Sequence, residues 1–252
     1  MGNYEKWKTL MDAFSGQKPV ENMPSFPEVP IVQMVQTLCS IEEQVWGMYA
    51  FEREPLEGKI SLGQKKQYIK AANECGRSWA KKVMKEYETA QPETIAKKMG
   101  IAVKKTARPI GGEIVLFAQF VRPNEITIFT DCIHKANLLE KECDCKILQE
   151  DILEKILLSH ELFHAVEEKH QKEIYTHTEK IELWKKPFSN RSKIVCLSEI
   201  AAMAFAAEIM RLQVSPYMLD ILLTYSYDKN AAYGLYEEIC SLQAQFHDEA
   251  IL

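Results

Sequence analysis

No run of 18 or more apolar residues occurs in the 252-residue chain, so nothing in it reads as a bilayer-spanning helix. A basic excess is missing as well. Lys and Arg number 31 against 36 Asp and Glu, a net charge of −5, which lacks the electrostatic footprint expected of a nucleic-acid-binding protein. Glycine and proline are sparse at ten each and no repeat of fixed period is present, which excludes collagen-like and low-complexity chains. Seven cysteines, an odd number, suit reduced thiols better than a disulfide framework, and the expected location is cytoplasmic. The opening MGNYEKWKTL carries Glu5, Lys6 and Lys8 where a secretory leader needs an apolar stretch, and Lys6 stands where a myristoylation motif wants Ser or Thr. What is abundant is apolar surface. At 46% hydrophobic residues the chain can bury a sizeable core, in one large domain or two small ones.

Four of the ten prolines fall within residues 19–30, which marks an extended arm after a short amphipathic helix around Trp7, Leu10, Met11 and Phe14. Residues 31–52 pattern as one helix. A second follows over 62–90, with Tyr68, Ala72, Cys75, Trp79 and Val83 on a buried stripe. At Pro92 the texture changes. PETIAKKMG predicts a short helix closed by Gly100, then a strand over 101–105. The stretch 113–121 and ITIFT predict two strands joined by the turn RPNE. From Asp151 onward the pattern is helical, over 151–170, 193–213, 216–227 and 229–249. The expected fold is α+β, with an N-terminal helix and arm (1–30), a helical segment (31–90) and an α+β domain with a helical second half (91–252).

LLSHELFHAVEE carries the chemistry. His160 and His164 are four apart, so on a helix both imidazoles project from one face and can reach one Zn²⁺ at roughly 2.0–2.1 Å. Glu161 is rotated about 100° away, near enough to take a proton from a metal-bound water. The surrounding helix is apolar on more than one side, and unpartnered polar groups inside it would cost on the order of 1–3 kcal/mol each. The alternative is a pair of histidines hydrogen-bonded in the core. A catalytic zinc usually takes a third protein ligand. In the nearly continuous apolar helix IVCLSEIAAMAFAAEIM, Glu199 is expensive unless paired or coordinated, and its alanines allow close approach of another helix. Glu199 is therefore the expected third ligand and Glu208 the substitute; a first-turn glutamate favoured by the helix dipole is the alternative. Glu167 and Glu168 lie too close to His164 on its own helix to point back at its metal.

The order PETIAKKMGIAV, GGEIVLFAQFVRPNEITIF, LLSHELFHAVEE, EIAAMAFAAEIM resembles the ImmA/IrrE family of zincin-like, gluzincin-type metallopeptidases over about 92–213. The resemblance implies a zincin-like core: a small sheet on a metal-bearing helix. It also implies His160, His164 and Glu199 as zinc ligands, Glu161 as general base, and regulated cleavage of a partner protein, often a repressor, inside bacteria. Ala202-Met203 stands where the family commonly has Asn, and Phe163 makes the metal helix bulkier. No helix-turn-helix domain is evident in the first 90 residues, where Lys81, Lys82 and Lys85 read as a solvated helix face.

Cys132-x-His134 and Cys143-x-Cys145 offer four donors for a second zinc, although the usual knuckle is Cys-x₂-Cys. The polar segment 169–192 reads as a lid or a solvated connector, with Tyr175, His177 or Trp184 near the site. For a transition-state stabiliser the candidates are His177, Tyr175 and Tyr217. The strand 113–121 is positioned to pair with a peptide substrate. Two competing readings remain: a non-catalytic, metal-stabilised sensor whose N-terminal helices dock a partner, and a helical scaffold with a fortuitous motif.

Overall fold

The computed structural model describes residues 25–107, 117–184 and 190–251. The expected N-terminal helix, the start of the arm and residues 113–116 of the expected strand lie outside them. Residues 25–30 are non-helical, as Pro27 and Pro30 require. The chain then forms α1 (Ile31–Ser40), α2 (Glu43–Phe51) and α3 (Leu62–Tyr87). The single helix anticipated over 31–52 is broken at Ile41, which is extended at φ −67°, ψ 129°. No glycine or proline causes the break. The bend lets α1 bury Met34 and Leu38 while α2 buries Trp46, Tyr49 and Phe51. Helix α3 begins with a capping box between Ser61 and Gln64 and buries Ala72, Cys75, Trp79 and Val83 of the expected stripe, while Tyr68 is only half-buried.

Helix α4 (Pro92–Lys98) starts on proline and is closed by Gly100 in the left-handed region at φ +71°. It leads into β1 (Ala102–Thr106), followed by β2 (Ala118–Val121) and β3 (Glu125–Phe129). The hairpin β2–β3 is antiparallel and β1 runs parallel to β3, so β3 is central and β2 is an edge. Ile126 and Ile128 of β3 are buried on the side that packs on α6 (Glu150–Lys169), the helix carrying the histidine motif. Between them lies α5 (Thr130–Cys143), which the sequence reading leaves unassigned.

After α6 come the single turn α7 (Tyr175–Thr178) and an antiparallel ribbon, β4 (Ile181–Trp184) with β5 (Asn190–Ser192). The expectation of an entirely helical second half is thus corrected. The alternation in IELW is a strand pattern, but it is four residues long and set among lysines, which gave it the look of a connector. Helices α8 (Cys196–Met210), α9 (Met218–Tyr225) and α10 (Lys229–Ile251) complete the chain. The architecture is α+β, dominated by helix. Among the described residues no helix is long and apolar enough to cross a membrane.

Helix α8 is the centre of the packing, with α3 against one side and α6 against another. Its Leu197, Ala201, Ala202, Phe205 and Ala206 are fully buried. At Gly76 of α3 an added Cβ would lie 2.1 Å from the carbonyl oxygen of Ala201 and 3.0 Å from the Cβ of Ala204. Only glycine lets the two helices come this close. Gly76→Ala should lower stability by about 1–3 kcal/mol, because overpacking against a backbone atom outweighs the roughly 1 kcal/mol gain in helix propensity. Urea or thermal unfolding reads this directly, and a variant as stable as wild type would show that α8 can retreat freely.

Candidate metal centre

Helix α6 places His160 and His164 one turn apart, and the first turn of α8 brings Glu199 across to them. The facing Nε2 atoms of the two histidines are 3.2 Å apart. Glu199 lies 3.3 Å from His160 Nε2 through Oε2 and 3.6 Å from His164 Nε2 through Oε1. Among the described residues this is the one group of three or more His, Cys, Asp or Glu whose donor atoms converge. A tetrahedral ion with bonds of roughly 2.0–2.1 Å needs donors about 3.3–3.4 Å apart. Two imidazoles and a carboxylate at these spacings fit one divalent ion.

The same three groups are also linked electrostatically. Burial opposes protonation of His160, but the hydrogen bond and charge of Glu199 outweigh it and raise His160 to about 9. Burial likewise works against the Glu199 carboxylate, yet His160 and then His164 hold it down to about 2. Glu199 is not sunk in the helix core as its sequence context implies. Its side chain is 50% exposed, toward a cavity of about 670 Å³. Glu161 lines the same cavity, is itself 8% exposed, and accepts the backbone N–H of Phe120 in β2 at 2.7 Å through Oε2. The edge strand and the metal helix are joined by that bond.

Of the three stabiliser candidates, Tyr217 and His177 line the cavity and Tyr175 does not. Tyr175 is instead electrostatically coupled to Glu179 and to Tyr68 and Cys75 of α3. Tyr217 is buried, stacked 6.0 Å from Trp46 at an interplanar angle of 11°, and its hydroxyl has no partner among the described residues. His177 is engaged: Lys193 Nζ donates to its Nδ1 at 3.0 Å, and its Nε2 is 3.7 Å from Glu167. The side chain of Trp184 falls outside the described residues. Glu208, the substitute ligand, lies 3.6 Å from Lys81 instead. The four-donor Cys/His site does not form. Residues 132 and 134 point to different sides of α5, with Cys132 buried and His134 exposed, and burial pushes the Cys132 and Cys145 thiols up to about 12.

Sequence reasoning misses three groups at this site. Asp220 of α9 lines the cavity, and burial raises it to about 6 against the opposing charges of Arg53 and His160. The signal was available, since MLDILLTY sets one carboxylate in an apolar helix as awkwardly as Glu199. Arg53, following α2, lines the cavity and bonds Glu238 at 2.8 Å. Glu54 accepts the N–H of Cys196 at 3.0 Å and so caps the N-terminus of α8. Glu167, set aside above as a ligand, makes no bond to the triad's facing atoms but approaches the other edge of His164.

Compared with known proteins, the chain matches no protein-family model, no curated protein and no solved structure.

Protein purified without chelator should hold about one divalent ion per chain by elemental analysis, and both His164→Ala and Glu199→Ala should lose it. Adding Zn²⁺ at 100 times its Kd should stabilise wild type by about 2.7 kcal/mol and leave the Glu199→Ala melting midpoint unmoved. An ion retained in Glu199→Ala would place the third donor elsewhere.

Proposed function

We propose that the chain is a zinc-dependent metallopeptidase that hydrolyses a peptide bond in an intracellular protein. The observation that carries this reading is the placement of Glu161: a nearly buried carboxylate beside the converging donors of His160, His164 and Glu199, facing the same cavity. Zn²⁺ held by those three side chains would supply a Lewis acid and lower the pKa of a bound water.

The chain's own residues divide the remaining work. Glu161 Oε2 is anchored by the Phe120 N–H, and Oε1 has no protein donor among the described residues, which leaves one oxygen to take a proton and pass it to the leaving amine. Tyr217 lines the cavity near Glu199, but its unpartnered hydroxyl is itself buried, so it would have to turn into the cavity to meet negative charge on a carbonyl oxygen. His177 is the weaker choice, because Lys193 and Glu167 already engage both of its nitrogens. Strand β2 is an edge strand, and Phe120 turns its N–H away from β3 toward the cleft, so an extended peptide lying along β2 would pass the triad. Residues on both sides of the triad line the cavity, from Ile156 and Leu157 to Glu167 and Glu168. At 1.5 Å per residue that span of α6 is roughly 18 Å, room for about five residues of extended chain. The intracellular setting, and a regulator or repressor as substrate, come from the ImmA/IrrE resemblance alone.

Glu161→Gln tests the assignment. The variant should keep its metal and lose about 10²- to 10⁴-fold in the rate of peptide hydrolysis, the usual scale of a general base. Metal content and cleavage of a mixed peptide library, measured on the same preparation, decide it. A metal-loaded Glu161→Gln protein cleaving at the wild-type rate sinks the mechanism, and a metal-loaded wild type that cleaves nothing favours a metal-stabilised binding module.

A further inference from the structure

Glu167 is among the most deeply buried charged groups in the described chain, at 7% exposure, and the hydrolytic scheme gives it no part. Three elements converge on it. Thr176 of α7 donates its hydroxyl to Oε1, and Ser198 of α8 donates to Oε2 at 2.7 Å. His164 Nδ1, on α6 itself, is 3.6 Å from Oε2, and His177 Nε2 is 3.7 Å from Oε1. Each carboxyl oxygen of Glu167 thus accepts a hydroxyl proton from a different element.

Ser198 decides what this arrangement does. A hydroxyl has one proton, and at 2.7 Å that proton belongs to Glu167. The oxygen of Ser198 then faces His164 Nδ1, 3.4 Å away, with only lone pairs. An acceptor on that side demands a proton on Nδ1. The imidazole is left with its lone pair on Nε2, the nitrogen turned toward His160 and Glu199. Glu167 thus acts on His164 from the far edge of the ring, directly by charge and through Ser198 by hydrogen bonding.

We propose that Glu167, with Ser198 as its intermediary, is the positioning residue that sets the tautomer and ring orientation of His164 for metal binding. The proposal rests on the metal-centre reading above. Partners of this kind, one step beyond the ligands, typically contribute 10- to 100-fold in metal affinity. The competing role is purely structural: through Thr176, Glu167 also fastens the α7 turn and the following ribbon to α6.

The two roles separate in a set of single variants. Affinity for Zn²⁺, by competition with a chromogenic chelator, and the visible spectrum of the Co²⁺-loaded protein are read for wild type, Glu167→Gln, Ser198→Ala, Thr176→Val and His164→Ala. Glu167→Gln keeps the shape and removes the charge. It should weaken Zn²⁺ binding 10- to 100-fold and shift the Co²⁺ bands. Ser198→Ala should lose affinity in the same direction, and Thr176→Val should stay within about threefold of wild type. If Glu167→Gln binds both ions as wild type does, the proposal is overturned. It is overturned equally if Thr176→Val reproduces the Glu167→Gln loss while Ser198→Ala does not, since the clip alone would then explain the effect. Failure of the underlying reading looks different: wild type binds neither ion, or His164→Ala binds them equally well. Should Glu167→Gln fold poorly, Ser198→Ala against Thr176→Val carries the same comparison.

Discussion

The candidate site depends on how tightly α8 is held between its neighbours. Glu199 must arrive within 3.3 and 3.6 Å of two nitrogens on another helix, so errors of a few tenths of an ångström in helix separation matter. On the α3 side the separation is set by backbone contact at Gly76, where no side-chain atom fits. On the α6 side it is set by bulk, with Phe163 packed on Phe205 at a ring distance of 5.6 Å. Close-packed interiors have little compressibility, so a helix gripped this way has few alternative positions. The alanines of α8 are what allow an apolar helix to be enclosed on several faces while its first turn opens to the cavity.

Charge organises the walls. The three buried glutamates, Glu54, Glu161 and Glu167, each have backbone or side-chain donors aimed at them, as the cost of burying ions demands. Glu54 receives the N–H groups of Leu56 and Cys196 at 3.1 and 3.0 Å, and it places a negative charge at the positive end of α8. Glu167 receives Thr176 and Ser198. Both assemblies act on the helix that carries Glu199 or the ring that faces it. The residues just after α2 therefore take part in the site, Arg53 as cavity wall and Glu54 as cap. Helices α1 to α3 share one continuous core with the rest of the described residues.

Much of this was legible in the residues, for reasons that can be stated. The His-Glu-x-x-His spacing needs nothing but a helix to bring its side chains together. Glu199 stood out because a carboxylate in an apolar helix requires an explanation, although the explanation turned out to be a cavity and not enclosure. The same logic applied to Asp220 would have found it. Glu167 was set aside because a residue three positions on cannot reach the metal-facing Nε2 of His164, and that holds; the ring's other nitrogen, Nδ1, faces onward to Glu167 at 3.6 Å. Helix α5 was hidden by its cysteines. Counted as small apolar residues, Cys132, Ile133, Ala136, Leu139 and Cys143 show a helical period, and all five are buried. The break at Ile41 and the β4–β5 ribbon had no local cause strong enough to see. Tertiary packing made the first, and the second is too short for its alternation to register.

Glu161 is where structural and chemical explanations compete most directly. Its bond to Phe120 ties the edge strand to α6, and a strand must be held somehow. A charged group is a costly way to do it. One backbone N–H returns about 1.5–3 kcal/mol to a carboxylate, less than the several kcal/mol needed to remove an ion from water. A neutral amide side chain would make the same bond without that cost. Glu161 also shares its cavity with the acids Glu199 and Asp220, whereas Arg53 is engaged by Glu238 and Arg122 by Glu168. With both arginines paired, the charge that faces these acids is that of His160, which Glu199 raises to about 9. A divalent cation between His160, His164 and Glu199 would take the place of that proton where the three donor atoms converge, and this convergence is what the case for a metal centre rests on apart from any family resemblance.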